Sequence, residues 1–591
     1  MCSNYYSVVF KSVRFFLGAL PSSALFYLWL LLPPALAQEA DINPVPPTID
    51  PPSEEDFQRP EIFEEIPAPE SLLEAQPIPT APEPGPDIPE TVTIEQLEFE
   101  GNTAISSEEL ADAVEASLGQ PLPVELSFTE LFKVRSAVTQ YYTNAGYVTS
   151  SAIIPPQEFS AEAGTLMVRV LEGQLEDIEV ISPGRLNESY VRRRLEQSVT
   201  PPLQIDQLLE GLQLLQLDPL IQRVSAELSA GPQQGQSLLT VTVEEADSNW
   251  FDLKADNARS PSVGTLQQEV TYTEANLLGN GERLDISLGL ASGLTSAEAR
   301  YRTFLNPKNG TLDFSVGFTA SQVEEEPFDI LDIESEAAFY ELTWRQPLKK
   351  TPTEEFALGL TASRQGSRSI FLKEFFGEEV GFPTRGADDS GTSRVNAVRF
   401  FQEWVKQQPK SVLAARSQFS VGLDILGATS ADSPNSEFFA WRGQGQWLQL
   451  LAPDTLFIFQ TDAQLADAPL LPLEQFGLGG ATSVRGYRQD LLLVDNAVSA
   501  SAELRLPLYR SPTRRSILQV TPFLEGGFGW NAGGTDPDPN SLLATGVGLL
   551  WQSDNGLTAR LDWGIPLING DADGDSLQES GVHFSLNYRV F

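Results

Sequence analysis

Leu312-Asp313-Phe314-Ser315-Val316-Gly317-Phe318 carries the reading on which the fold turns. Apolar residues hold every second place and small or polar ones the places between, the period of a strand with one greasy and one wet face. Upstream, Leu284, Ile286, Leu288 and Leu290 alternate with Asp285, Ser287 and Gly289 in the same way. Gly279-Asn280-Gly281 and Asn306–Gly310 supply turns between such runs. From Trp250 to Phe591 no persuasive long helix interrupts this texture. At about 21 residues per strand and connection, that length predicts a membrane β-barrel of roughly 16 antiparallel strands. A large soluble β-sandwich is the rival reading. The chain end favours the barrel. Val582, Phe584, Leu586, Tyr588 and Val590 alternate with His583, Ser585, Asn587 and Arg589, and Phe591 closes the chain one residue out of phase.

The inventory excludes much else. Among 591 residues, 81 are acidic and 38 basic, a formal charge of −43 that argues against nucleic-acid binding. One cysteine, Cys2, and one histidine, His583, leave no material for a disulfide, a cysteine-rich metal site or a histidine-dependent triad. No catalytic residue, metal ligand or cofactor site is expected. Lys11 and Arg14, an apolar Phe15–Leu32 and the small-x-small run Ala35-Leu36-Ala37 read as a signal peptide over 1–37. Its removal takes away both bases and moves the charge from −43 to −45.

Between the signal and the barrel lie three stretches. Residues 38–90 hold 14 of the 43 prolines and 14 acidic groups against Arg59 alone, and predict a disordered linker, with a short helix near Asp56–Ile66 as an option. Residues 91–173 read β-α-α-β-β. A strand over Val92–Phe99 leads to a helix over Glu108–Leu118 capped by Ser106 or Ser107. A helix at Thr129–Ala145 and strands near Thr149–Ile154 and Thr165–Glu172 follow. Residues 174–246 repeat that order, with Asn187 as a helix cap and a hairpin closed by Gly231–Gly235.

Phe476-Gly477-Leu478-Gly479-Gly480, followed by Ser483-Val484-Arg485-Gly486-Tyr487, resembles the Val-Arg-Gly-Tyr loop of the POTRA-plus-barrel protein translocases. Phe523-Leu524-Glu525-Gly526-Gly527 resembles their Phe-x-Asp-x-Gly strand motif, with Glu525 in place of the aspartate. Asn276–Glu282 is similar to the first-hairpin motif of the two-partner secretion transporters, the haemolysin secretion/activation family. The resemblance spans about residues 91–591 and casts the two β-α-α-β-β modules as periplasmic POTRA domains. It implies a bacterial outer-membrane transporter that captures an unfolded partner through those domains and secretes it through the barrel (type V secretion). The implied partner is a large β-helical protein, and the transporter is expected to be monomeric in outer-membrane lipid. An assembly factor of the same superfamily and a passive porin stay open as alternatives. No phosphate-cradling loop with its lysine is present, so export must draw on binding and on folding outside. The modules offer sheet edges for strand addition.

The motif residues Val484, Arg485, Gly486 and Tyr487 and their expected partner motif Phe523, Glu525 and Gly527 form the candidate site. An arginine drawn into a lumen needs a fixed anion, for which Glu525 is the candidate. Gly486 lets the backbone turn, and Tyr487 packs against the wall. Elsewhere the bland readings prevail. His583 is expected as a lumen-facing polar residue. Asn569–Asp575 with Glu579 reads as a solvated loop rather than a calcium site, since Glu579 comes a position early. Trp441, Trp447, Trp551 and Trp563 fit an interfacial girdle.

Overall fold

The computed structural model describes residues 72–75, 91–157, 164–326, 328–371, 373, 379–430, 433–512, 516–570 and 574–590. The signal, the helix option at 56–66, Phe591 and residues 571–573 of the acidic loop lie outside that set.

In the first module, Ser106 and Glu109 form a reciprocal capping box at the start of helix Ser107–Leu118, and Gly119 ends it at φ 74°. A strand that sequence pattern did not separate, Val124–Ser127, runs straight into helix Phe128–Asn144. Four residues are too few to show a period, so the order is β-α-β-α-β-β. The sheet runs Val124–Ser127, Thr91–Glu100, Gly164–Leu171, Ser151–Ile153. Its apolar face closes on the helices through Ile94, Leu110, Val114, Val138, Leu166 and Val168, all fully buried.

The second module packs helices Glu188–Leu195 and Ile205–Gln216 on a sheet containing Gln174–Ile181, Gln236–Glu245 and Ile221–Ala230. A fourth strand, Leu73–Ala75, pairs in parallel with Ala226–Leu228. This corrects the reading of 38–90 as disorder throughout. Between Pro69 and Pro77 the chain has free N–H groups, and Leu72 is buried in the module's core. Asn187 is also not the side-chain cap expected of it. Its amide is used in docking, described below. The two modules join through backbone bonds: Leu203 N donates to Gly173 O at 2.7 Å and Ile205 N to Gly146 O at 3.0 Å.

Sixteen antiparallel strands, from Asn249–Asp256 to Val582–Val590, close the barrel. The first and last pair from Phe251↔Val590 to Asp256↔Ser585. A two-residue piece, Val380–Gly381, pairs with the seventh strand, Glu354–Phe371. Alternation sets the faces: Ile286, Leu288, Phe314 and Phe318 are exposed outward, whereas Asp313 and Ser315 are buried on the lumen side. Trp441, Trp447, Trp551 and Trp563 all share the outward phase of their strands. The lumen wall is charge-compensated. Arg345 meets Glu355 and Glu403, Arg416 meets Glu403, and Arg442 meets Asp462.

The barrel is docked to the second module at its first two turns. Asn187 N donates to Gly279 O at 2.8 Å, and its side-chain amide to Asn280 Oδ1 at 3.0 Å. Gly281 admits the ring of Tyr190, which a Cβ there would meet at 2.6 Å. Arg194 lies 3.5 Å from the Tyr190 ring centroid and 4.6 Å from that of Phe304, the last residue of the fourth barrel strand. One cation thus touches two aromatic rings that themselves meet edge to face, with centroids 5.9 Å apart.

Candidate functional site

The connection between the eleventh strand, Thr455–Ala466, and the twelfth, Asn496–Arg510, turns inward instead of rising from the barrel mouth. At its base Leu470, Leu471 and Leu473 pack on Val395, Ala397 and Phe438, and Glu474 accepts two hydrogen bonds from Arg399 at 2.8 and 3.2 Å. A small hairpin, Phe476–Leu478 with Leu492–Val494, carries the motif downward. Val484, fully buried, joins Leu478, Tyr487 and Val494 in an apolar cluster that includes Leu542 and Ala544 of the wall. That cluster replaces the lipid or water a loop would otherwise meet.

Arg485 is buried at the end of this loop. Its Nε and Nη2 donate to Glu525 Oε1 at 2.9 and 2.5 Å, and its backbone N donates to Glu525 Oε2 at 2.7 Å. The structure thus brings Arg485 and Glu525 together, and it adds two carboxylates that sequence reasoning missed. Nη1 lies 3.0 Å from Glu503 and 3.1 Å from Asp562. Arg505 and Arg560 approach the same acids, with Arg505 Nε 2.9 Å from Glu503 and Arg560 Nε 2.6 Å from Asp562. Three guanidinium groups and three carboxylates compensate one another. This is the condition under which buried charges are tolerated. Ser501 donates a further bond to Glu525 at 2.9 Å.

The strand motif has a physical reason at each place. The Phe523 ring lies 3.7 Å from Arg485 Cζ, Glu525 binds it, and Gly527 makes room for the loop, since a Cβ there would meet Leu478 at 2.7 Å. Gly486, at φ 104°, lies on Gly564, and its N–H donates to His583 Nε2 at 3.3 Å. His583 does face the lumen, and it supports the loop. Tyr487 donates its hydroxyl to the carbonyls of Leu543 and Ile568 at 2.9 and 2.8 Å. Nearer the mouth, Arg488 grips Glu325 with two bonds of 3.0 and 2.9 Å. Glu579 of the acidic loop lies 3.7 Å from the same guanidinium. Among the described residues no cluster of three or more metal-binding side chains gathers.

The missed residues had a signal. Ser499, Ser501, Glu503 and Arg505 hold successive inward places on one strand, and Arg560 and Asp562 do so on another. On these two strands the lumen-phase charges are the anchor points of the inserted loop, whereas Arg345, Glu403 and Arg416 pair within the wall.

Comparison with known proteins bears on this arrangement. Residues 92–173 match the model of the POTRA domain, ShlB-type, and residues 389–550 that of the haemolysin secretion/activation protein ShlB/FhaC/HecB. The heme/hemopexin transporter protein HuxB of Haemophilus influenzae is 23% identical over 459 residues, covering 73% of this chain and 75% of that protein. The outer membrane transporter CdiB of Escherichia coli is 25% identical over 494 residues, covering 81% and 79%. The solved CdiB structure from Escherichia coli aligns with a TM-score of 0.63 at 20% identity over 87% of this chain and 93% of that one, a likeness of fold. Two α/β modules in the periplasm and a closed barrel are the architecture of an outer-membrane transporter, and in this chain Arg485 pins a loop inside the barrel. The chain is an outer-membrane transporter of the two-partner secretion type, which works with a secreted partner protein.

Proposed function

We propose that the two modules spanning Val92–Glu244 capture the partner as an unfolded chain, and that it leaves through the barrel once the Arg485 loop gives way. The observation that carries this reading is the strand Leu73–Ala75, an extended segment held on the second module by main-chain pairing. Strand addition asks little of sequence and suits a client that arrives unfolded. Among the described residues, the second module's far edge, Gln174–Ile181, pairs on one side only, and so does Ser151–Ile153 of the first. The partner's final fold outside, in this reading a long β-helix, makes its exit irreversible, and one copy of the chain suffices as the pore. No catalytic step is assigned to any residue. Val484–Tyr487 with Phe523, Glu525 and Gly527 act as the lock on the path.

Removing Val92–Glu172 tests the capture role, because that module closes its own core. The barrel should still show heat-modifiable migration while partner binding is lost. Secretion at the normal rate by this variant would refute capture by the first module.

A further inference from the structure

On the outward phase of the barrel strands, apolar residues meet lipid. Three arginines depart from this in one place. Arg364 and Arg368 stand on the seventh strand, Glu354–Phe371, in phase with the exposed Leu360. Arg394 stands on the eighth, Thr392–Gln408, in phase with the exposed Phe400. Arg394 pairs with Gly366, whereas Arg364 faces Asn396 and Arg368 faces Thr392. Arg394 thus lies diagonally between the other two, and the missing side chain at Gly366 leaves its stem room; a Cβ there would lie 3.7 Å from Arg394 Cγ.

Their height on the wall follows from the chain direction. The seventh strand starts at a periplasmic turn and shows Phe356, Leu358, Leu360 and Ala362 outward before Arg364. Eight residues from Phe356 to Arg364 climb ~26 Å along the strand, or ~20 Å at the usual tilt. That is close to the upper limit of an apolar band ~25 Å tall. Tyr340, the cross-strand neighbour of Arg364, suits the same interfacial level. An arginine at mid-membrane would cost about 2–4 kcal/mol, and near the interface about 0–1.

The charges are unequally answered. Arg368 meets Glu379 at 2.8 Å and donates to Ser390 O at 3.0 Å. Arg364 donates only to neutral acceptors, Asn396 Oδ1 at 3.1 Å and Leu426 O at 2.9 Å. Among the described residues no carboxylate forms an ion pair with Arg364 or Arg394. Asp388 lies near Arg394 but accepts from the Ser390 N–H and hydroxyl and from the Thr392 N–H. Glu336 stands opposite Arg368 in the register. In a chain with 81 acids, two adjacent arginines left without an ion pair at the lipid boundary call for an external anion.

A second feature indicates what carries that anion. The loop after the ninth strand folds back over the outside of the wall here: Asn396 Nδ2 donates to Ile425 O at 2.7 Å, and Arg394 N to Thr429 Oγ1 at 2.8 Å. Leu426 takes φ 53°, and Ile425 and Leu426 expose 50% and 60% of their surfaces beside the guanidinium groups. Cations bordered by exposed aliphatic side chains match a ligand with a phosphate and acyl chains, not a soluble ion.

We propose that Arg364 and Arg394, flanked by Arg368, bind the phosphate of an outer-leaflet lipid headgroup, with Ile425 and Leu426 against its acyl region. Arginine suits the task because its planar fork pairs with two phosphate oxygens. The site ties the seventh and eighth strands, and the loop lying on them, to the leaflet through which the partner emerges.

Native mass spectrometry of the full chain in detergent, titrated with diphosphoryl lipid A, tests this. The native chain should retain the lipid, and lipid A with its phosphates removed should bind at least tenfold more weakly. The Arg364→Gln/Arg394→Gln variant should lose at least tenfold in lipid A affinity while keeping heat-modifiable migration. Arg364→Lys/Arg394→Lys should fall between. Equal binding of the dephosphorylated lipid by the native chain overturns the proposal, and that arm stays decisive if the glutamine variant fails to fold. Undiminished binding by a folded glutamine variant overturns it too. Complete displacement of the lipid by millimolar inorganic phosphate overturns it in favour of a soluble-anion site.

Discussion

The periplasmic arm and the barrel use the same alternating strand code with opposite polarity. In the arm, Leu166, Val168 and Val170 of one strand point into a closed core while Arg169 faces water. In the barrel, Leu284, Ile286, Leu288 and Leu290 point out to lipid, and the places between face a wet interior lined with paired charges. The sheet chemistry is one; what differs is which side the solvent occupies. A barrel so built offers an inserted loop only local apolar patches on its inner wall, such as Leu542 with Ala544 and Val395 with Ala397. The Arg485 loop therefore brings its own small apolar cluster and is pinned at its tip by ionic bonds.

The largest expected break in that comparison is at Arg485. Arg485→Ala leaves Glu503, Glu525 and Asp562 facing two guanidinium groups instead of three, and removing one partner of a buried ionic cluster costs about 3–5 kcal/mol. The barrel should insert normally, secretion of the partner should fall at least tenfold, and single-channel recordings should show larger and noisier conductance. Arg485→Lys should rescue poorly, since one ammonium cannot serve three acids in a plane. Glu525→Ala should be the milder lesion, because Glu503 and Asp562 remain. Normal secretion by Arg485→Ala would sink the assignment of this loop as the lock.

A smaller effect sharpens the polarity argument itself. Leu288 and Ser287 are neighbours on the third strand, the first exposed to lipid and the second facing Glu298 across the ladder on the lumen side. Leu288→Arg should cost about 2–4 kcal/mol if it lies near mid-membrane. Ser287→Arg gains a carboxylate neighbour and should stay within roughly 1 kcal/mol. Urea titration of barrel refolding, followed by heat-modifiable migration, reads both. Equal costs would mean that the two faces do not differ in what they meet, and a larger cost at Ser287 that the faces have been interchanged.

Legibility differed between the two regions for physical reasons. Strand phase, the tandem modules and the loop motif were readable because periodicity and glycine-rich turns are local. Arg485 and Glu525 were paired from their motifs alone. Glu503 and Asp562 were not, because they lie 18 and 77 residues after Arg485 on strands whose register no local pattern fixes. The Leu73–Ala75 strand escaped because proline and charge around it outweigh three residues of pairing. Asn187 looked like a cap, and its amide instead holds Asn280 across the module–barrel joint, a contact 93 residues long in sequence.

The smallest effect probes the arm, whose polar ties titrate where the barrel's backbone ladder does not. Glu172 follows the first module's last strand and gathers the loop before helix Ser107–Leu118: Thr103 N and Ala104 N donate to it at 2.6 and 2.8 Å, and Tyr142 donates its hydroxyl at 2.8 Å. Burial works to raise its carboxyl, but these donors outweigh burial and hold it below the ordinary glutamate value. Burial and the nearby Glu172 charge push the Tyr142 phenol upward, so it remains a donor throughout. With the folded value depressed, ionised Glu172 contributes stability fully above the unfolded pKa of about 4.3, and loses it as pH falls through the folded value. Exchange protection of the Thr103 and Ala104 amides should therefore be flat from pH 7 to about 5 and drop below ~4 in the native chain. In Glu172→Gln it should be lower at neutral pH and nearly independent of pH. Barrel amides such as those of Thr311–Gln322 should keep their protection across the same range, because their partners are carbonyls of neighbouring strands and bind no proton. A matching acid loss in both regions would place the acid-sensitive step in the whole molecule rather than at this carboxylate.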